Sequence, residues 1–193
     1  MKRTIYIIFY LLFAILLNNS CKYINKQKDQ KKLSRAVESY MGDEIKLPVD
    51  SVFILENDSI VSFKLLNQYS DKIRVVTRIN GNCHSCLFNL DKWKQEIIKK
   101  TDSNDIAFIF YLYVDNYKLF RNSLYYRISG DYQLSVDTTN AFIRDNDLPQ
   151  MDKRFHTFLL NKQNEVLLVG NPLFSPKIKN LYLKEINKRL KEQ

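Results

Sequence analysis

The sequence predicts an α/β fold in which helices flank a mixed central sheet, and three observations support this. From about residue 71 onward, apolar strand-like segments alternate with amphipathic segments. Residues 106–114, IAFIFYLYV, are apolar without alternation, which is typical of a central strand covered on both faces. HTFLLN and EVLLVG surround the turn-prone KQN and predict a late antiparallel hairpin. At 193 residues the chain is long enough for one domain with extensions.

The first 20 residues are predicted to be a lipoprotein signal peptide. Lys2 and Arg3 precede an apolar run, Ile5–Leu17, that is shorter than the roughly 20 residues of a comfortable membrane span. Cys21 follows Ser20 directly, which resembles the lipobox in which a cysteine becomes the lipidated first residue. An uncleaved anchor and plain secretion are the alternatives. In each case the domain lies outside the cytoplasm, and the lipoprotein would lie in the cell envelope, facing the periplasm or the cell surface.

Between the signal and the main domain, two regions are predicted. Residues 21–32 are polar and basic, and we expect a flexible tether that joins the lipid on Cys21 to the domain. Residues 33–70 form an N-terminal extension with a helical spacing in LSRAVESYMG. Two short strands, SVFIL and SIVSFKLL, follow and are split by the turn residues Asn57 and Asp58.

Residues 71–193 carry the main domain, whose elements are predicted in order. IRVVTRI is a strand, and CLFNLDKWKQEIIKK is a helix with one apolar face that includes Trp93. After the central strand come the amphipathic NYKLFRNSLYYRI, the short strand YQLSV and the short helix of TTNAFIRDN, opened by capping-type threonines. The hairpin leads to a last helix, in which Ser175 can cap and Pro176 suits the first turn.

The net charge of +9 falls to +7 once Lys2 and Arg3 are removed with the signal. The basic residues are spread over the tether and the last helix, which indicates a solvated surface attracted to anionic lipid headgroups. We predict no nucleic-acid partner, because an exported protein rarely meets nucleic acid. The sequence contains no Ser/His/Asp set, no paired-carboxylate spacing and no Gly-rich phosphate loop, so hydrolase and kinase functions have no support.

The motif GNCHSC places Cys83 and Cys86 where the first strand of the main domain ends and its helix begins. Free amide N–H groups and the helix dipole stabilise a thiolate there, so we expect the pKa of Cys83 to lie below the roughly 8.5 of a free cysteine. Cys86, one turn further, would be the resolving thiol. His84 lies between them and would stabilise the thiolate further when protonated. An exported compartment also allows the pair to be oxidised.

Two other interpretations of the cysteine pair stay open. The pair can form a static disulfide that pins a helix start. Alternatively, His156 can approach Cys83 and Cys86 and complete a ligand set for Cu(I), which soft thiolates suit. A c-type haem is excluded because Leu87, and not histidine, follows Cys86, and four-ligand zinc would need more ligands than the chain provides. No cofactor or resident metal is predicted.

From about Lys72 to its end, the chain resembles the thioredoxin superfamily, in particular the thioredoxin-like lipoproteins of Bacteroidetes. The resemblance rests on the strand–CxxC–helix unit, the central strand that follows, and the hairpin TFLLNKQNEVLLVGNP. It implies a thioredoxin-like fold in which Cys83 is the exposed nucleophile and Cys86 its partner.

Several accessory positions depart from that family. Asn82 and Ser85 stand where the family usually has tryptophan and proline. The cis-proline that faces the dithiol corresponds to Phe155 or His156, depending on the register of the strand. Thr77 occupies the place of the family's buried acid.

The sequence therefore predicts an exported, membrane-tethered thiol–disulfide oxidoreductase that works through Cys83 and Cys86. Its expected partners are exported thiol or disulfide proteins or a membrane redox partner. The alternatives are a non-catalytic binding or structural lipoprotein with a static disulfide, and a copper carrier.

Overall fold

The structure, a computed structural model, describes residues 27–31, 33–48, 52–56, 59–62, 69, 71–101, 105–123 and 133–191. The chain divides into two compact units, Met1–Tyr40 and Met41–Gln193. In the first unit, helix α1 covers residues 27–31 and 33–40, so it includes residues that the sequence assigns to the tether. The predicted signal and Cys21 lie outside the described residues. No helix within the described ranges is long and apolar enough to cross a membrane.

The second unit contains a mixed sheet of seven strands in the order β2-β1-β5-β4-β3-β6-β7. Strands β3, β4 and β5 run parallel, while β1 joins β5 and β6 joins β3 in antiparallel pairs. The N-terminal extension thus adds two strands to the β5 side of the sheet. The strands are β1 Val52–Glu56, β2 Ser59–Ser62, β3 Ile73–Asn80, β4 Ile106–Tyr113, β5 Gln133–Asp137, β6 Thr157–Leu160 and β7 Val166–Val169.

The helices follow the predicted order. The helix after the cysteine motif begins as α2, continues as one π-helical stretch, Lys94–Ile98, and ends in α3. A short 3-10 helix, Lys153–Phe155, precedes β6. Residues 124–128 of the predicted amphipathic segment lie outside the described residues. The α-helices of the second unit are α2 His84–Trp93, α3 Lys99–Thr101, α4 Tyr117–Ser123, α5 Ala141–Asp145 and α6 Pro176–Lys191.

The core has two apolar layers, one on each face of the sheet. On one face, alternate residues of β3 and β4 pack against α2 and α6, and the ring of Trp93 meets that of Phe110 edge-on at 5.5 Å. On the other face, Tyr111 stacks on Phe142 of α5 at 4.9 Å, and Phe142 meets Phe158 edge-on at 6.3 Å. Strand β4 is therefore covered on both sides, as its unbroken apolar sequence predicts.

A segment of the N-terminal extension, residues 42–48, covers the free edge of β7. Its backbone exchanges hydrogen bonds of 2.9–3.0 Å with Val166. The side chain of Asn146 then holds the backbone of Lys46, accepting from its N–H at 2.7 Å and donating to its carbonyl at 2.8 Å. Ile45 is buried. Because an open strand edge invites pairing with other chains, this segment protects the sheet from edge-to-edge association.

Candidate functional site

The two cysteines lie where β3 ends and α2 begins. Cys83 is the N-cap residue of α2, with an extended backbone (φ −107°, ψ 106°), and Cys86 is in the first turn. The carbonyl of Cys83 accepts hydrogen bonds from the N–H groups of Cys86 at 2.9 Å and Leu87 at 3.2 Å. The two sulfur atoms form a disulfide, with the Cα atoms 5.2 Å apart. Both cysteines are partly exposed, so a partner can reach the bond from solvent.

The surroundings of Cys83 favour a negative charge on its sulfur. The first turn of α2 contains no acidic residue, so the positive end of the helix dipole is not neutralised there. The hydroxyl oxygen of Ser85 lies 3.3 Å from Sγ of Cys83, within hydrogen-bonding distance for sulfur. His84 is exposed, and its ring packs edge-on against Phe88 at a centroid distance of 5.1 Å.

The loop before Cys83 lies close to the end of β4. The N–H of Gly81 donates to the carbonyl of Tyr113 at 2.7 Å. A Cβ atom at Gly81 would lie 2.7 Å from Cγ2 of Val114 and 3.0 Å from the Tyr113 carbonyl oxygen. Only glycine therefore allows the two backbones to approach this closely without a shift.

A reciprocal polar pair joins the same loop to the residue after β4. The side-chain amide of Asn82 donates to Oδ2 of Asp115 at 2.9 Å, and the N–H of Asp115 donates to Oδ1 of Asn82 at 3.2 Å. This pair fixes the loop that presents Cys83. Sequence analysis missed it because nothing local links two residues 33 positions apart.

A small cleft lies beside Cys86, whose side chain also packs against the apolar core. The residues that line the cleft include no carboxylate, so no acidic side chain there is placed to take a proton from Cys86. They are Arg78, Ile79, Asn80, Cys86, Asn89, Trp93, Lys153, His156, Thr157, Asn171 and Phe174.

Thr77, at the position where the sequence resemblance predicts a buried acid, is uncharged. The hydroxyl of Thr77 in β3 is hydrogen-bonded to that of Thr157 in β6 at 2.6 Å, and both residues are buried. The two threonines satisfy each other, so the pair needs no charged partner. This hydrogen bond joins β3, the strand that leads to Cys83, to the neighbouring strand β6.

Phe155 and His156, the two candidates for the position that faces the dithiol, lie in different surroundings. Phe155 ends the 3-10 helix and is buried. His156 immediately precedes β6, and its carbonyl accepts from the N–H of Arg78 at 2.9 Å, which continues the ladder between β3 and β6. The Nε2 atom of His156 donates to the carbonyl of Pro149 at 3.0 Å. Of the two residues, only His156 lines the cleft beside Cys86, with its ring hydrogen-bonded to the preceding loop.

The copper-carrier alternative requires three converging ligands. Within the part of the chain that the structure describes, no three His, Cys, Asp or Glu side chains lie close enough together to hold a metal ion. A third ligand beside Cys83 and Cys86 is therefore not preformed among these residues.

Burial lowers the pKa of His156 below its ordinary 6.5; the hydrogen bond to Pro149 opposes this shift, and the charge of Arg78 adds to it. As the pH falls through 6.5, the unfolded chain takes up a proton that the folded chain binds only at lower pH. We therefore expect the free energy of unfolding to decrease from about pH 6.5 downward.

Urea unfolding at pH 7.5 and 5.5 measures this effect, with His156→Gln as the matched variant. Glutamine keeps a donor for the Pro149 carbonyl and does not titrate, so the variant should lose less stability between the two pH values. Equal losses in both proteins would show that His156 does not contribute to the pH dependence.

No protein-family model matches the chain, and no curated protein matches it in sequence. Solved structures do match. A crystal structure described as a thiol:disulfide interchange protein, DsbE, from Chlorobium tepidum is 14% identical, with a TM-score of 0.55. The match covers 76% of this chain and 97% of that chain.

Two solution structures are similar to the same extent. One, described as a protein disulfide isomerase from Bacteroides thetaiotaomicron, is 16% identical with a TM-score of 0.56, covering 78% of this chain and 90% of that one. The other, described as a thiol-disulfide oxidoreductase from Bacteroides vulgatus, is 20% identical with a TM-score of 0.52, covering 77% and 92%. These similarities show that the chain has a thioredoxin-like fold, which confirms the fold predicted from its sequence.

Proposed function

We propose that this domain is an exported thiol–disulfide oxidoreductase that acts through Cys83 and Cys86. The observation that carries the proposal is a partly exposed disulfide at the first turn of α2 in a thioredoxin-like fold. The three similar structures are described as disulfide-exchange proteins, which supports the same chemistry here. The proposed substrates are exported proteins with thiols or disulfides.

In the reducing direction, the thiolate of Cys83 attacks one sulfur of a substrate disulfide. A bond forms between that sulfur and Cys83 Sγ, the substrate disulfide breaks, and the second substrate sulfur leaves as a thiolate that takes up a proton. The thiolate of Cys86 then attacks Cys83 Sγ, which restores the Cys83–Cys86 disulfide and releases the first substrate thiolate. Two electrons pass to the substrate, and an exported dithiol or membrane redox partner must resupply them.

In the oxidising direction the same steps run in reverse. A substrate thiolate attacks Cys83 Sγ of the disulfide, and Cys86 leaves as the thiolate. A second substrate thiol, after losing its proton, releases the substrate as a disulfide and leaves Cys83 reduced. Stabilisation of the Cys83 thiolate by α2 favours the reduced protein and therefore makes the disulfide a stronger oxidant.

The export part of the proposal rests on the first 21 residues. The basic pair Lys2 and Arg3, the apolar run Ile5–Leu17 and Cys21 after Ser20 support a signal peptide and lipidation. Metabolic labelling with radioactive palmitate tests the lipid anchor, with Cys21→Ala as the matched variant. The wild type should take up the label and the variant should not, whereas a wild type without label would favour an uncleaved anchor or plain secretion.

Redox titration against glutathione distinguishes an exchanging pair from a static bridge. We expect a reduction potential above about −300 mV for the Cys83–Cys86 couple, measured by alkylation of free thiols and mass spectrometry. A potential below about −300 mV would support the alternative of a binding or structural lipoprotein with a structural disulfide. A Cys83→Ser/Cys86→Ser variant, which has no couple to titrate, gives the baseline.

A further inference from the structure

The net charge of the chain is concentrated in one layer of the fold. The helical segments 84–101 and 176–191 contain ten lysine and arginine residues and three acidic residues, a net charge of +7. Lys2 and Arg3 supply the other two charges of the total of +9, so the rest of the chain sums to zero. Both segments pack on the same face of the sheet, so this excess of positive charge lies on one side of the domain.

Helix α6 presents four of these lysines along one side, which we call the lysine stripe. The residues are spaced seven, four and three positions apart, so together with Leu181 they fall within an arc of about 80° on the helix surface. The opposite side of α6 carries Tyr182 and Ile186 into the core. The stripe consists of Lys177, Lys184, Lys188 and Lys191, all exposed.

A large apolar side chain lies within the lysine stripe. Leu181 belongs to the same arc of α6 and is 52% exposed. An exposed leucine surrounded by lysines suits an interface in which charged headgroups lie above an apolar layer, as in membrane-surface helices. The phosphates of a nucleic acid offer no comparable partner for this leucine.

Two of the three acidic residues in the layer pair with basic residues that lie outside the stripe. Glu96 is paired with Lys179 at 2.8 Å, and Glu185 is paired with Arg189 at 2.8 Å. Neither of these two basic residues belongs to the stripe. Asp91, the third acidic residue, is on α2.

The neighbouring helical segment extends the basic surface away from the dithiol. Lys92, Lys99 and Lys100 are exposed and follow Cys83 by 9 to 17 residues. This spacing corresponds to about 13–25 Å along a helix. A surface that covers these lysines therefore lies toward the opposite end of the segment from Cys83.

We propose that this helical layer docks the domain onto an anionic phospholipid bilayer, with α6 along the headgroups and Leu181 directed into the interface. The lysines attract the anionic lipids, and each one near the surface strengthens binding by about fivefold. The proposal does not depend on the redox activity of the cysteines.

Lysine footprinting of the full chain tests the docking surface. The protein is mixed with vesicles of phosphatidylcholine alone or with about 30% phosphatidylglycerol, lysines are acetylated, and labelling rates are read by mass spectrometry. In anionic vesicles we expect acetylation of Lys177, Lys184 and Lys191 to slow at least about fivefold, and 0.5 M salt to restore it. The neutral vesicles provide the baseline, whether or not the N-terminal segment holds the chain to them.

Three exposed lysines outside the layer serve as internal controls: Lys46, Lys118 and Lys162. Their labelling should be the same in both kinds of vesicle. Equal labelling of the stripe in both vesicles, or equal protection of stripe and control lysines, would overturn the proposal. Protection of the stripe by duplex DNA but not by anionic vesicles would also overturn it and would favour a nucleic-acid partner.

Charge-reversal variants provide a second measurement. Lys177→Glu/Lys184→Glu/Lys191→Glu should reduce the part of vesicle binding that depends on phosphatidylglycerol by about 100-fold. Lys46→Glu/Lys118→Glu/Lys162→Glu makes the same change in net charge and should reduce it by less than about fivefold. Equal losses in the two variants would show that net charge, and not this surface, determines binding.

Discussion

Replacing Cys83 with serine should abolish thiol–disulfide exchange, because a serine hydroxyl at neutral pH neither attacks a disulfide nor forms one. We expect the variant to reduce a model disulfide substrate no faster than buffer does. The substitution is small and lies at a partly exposed N-cap position, where serine is favoured, so the fold should remain intact. Substrate reduction by the pre-reduced protein measures the loss, and circular dichroism checks the fold.

In the matched variant, Cys86→Ser, Cys83 should still attack a substrate disulfide, but the substrate should no longer be released from Cys83. Cys83 can still form a mixed disulfide, but no resolving thiol follows, so a covalent adduct with a partner accumulates through Cys83. Mass spectrometry of the trapped species identifies both the partner and the bonded cysteine. Full multiple-turnover activity in Cys83→Ser would contradict the proposed roles. They would also be contradicted if Cys86, as the only thiol of the pair, formed adducts more readily than Cys83 does as the only thiol.

Replacing Asp137 with alanine should have the largest effect on stability. Asp137 ends β5 and is fully buried, and its carboxylate accepts hydrogen bonds from the N–H groups of Ala141 at 2.8 Å and Phe142 at 3.0 Å. It also accepts from the N–H of Thr139 at 3.1 Å. Alanine would leave these buried donors without a partner, so we expect a loss of about 3–5 kcal/mol in the free energy of unfolding.

A buried serine in the same strand provides the control for that measurement. The hydroxyl of Ser135 is buried and has no hydrogen-bond partner among the described residues. Ser135→Ala should therefore change stability by less than about 1 kcal/mol. Both variants are compared with the wild type by urea unfolding. If Asp137→Ala costs no more than Ser135→Ala, the carboxylate does not hold the start of α5.

The elements that could be predicted from the sequence are those whose signals are local. The apolar run of β4, the one-sided pattern of α2 and the hairpin of β6 and β7 each follow from side-chain spacing within a few residues. The position of Cys83 at a helix start follows from the same local pattern. These elements build the fold and bring the two cysteines together.

Features that depend on distant contacts could not be predicted in the same way. The pairing of Asn82 with Asp115 joins residues 33 positions apart, and that of Asn146 with Lys46 joins residues 100 apart. Local spacing also left both Phe155 and His156 as candidates for the position that faces the dithiol, because the choice depends on how β6 pairs with β3. Only the three-dimensional pairing of elements determines such contacts.

The start of α5 differs in one respect from what the sequence indicates. The sequence indicates capping-type threonines before the helix, with Asp137 and Asn140 as turn and cap residues. The N-cap residue is Asn140, whose backbone is left-handed with φ 56°. The cap hydrogen bonds come from Asp137, four residues before Ala141. The left-handed turn brings the end of β5 back beneath the helix, so a carboxylate further upstream reaches the free N–H groups.

The acidity of the Cys83 thiol is the property on which the proposed exchange depends most directly. Its measurement uses the Cys86→Ser variant, in which Cys83 is the only thiol of the pair, and the rate of alkylation by iodoacetamide as a function of pH. We predict an apparent pKa clearly below that of a free cysteine, because the start of α2 and the Ser85 hydroxyl stabilise the thiolate. A value at or above the roughly 8.5 of a free cysteine would contradict an activated nucleophile at this helix start.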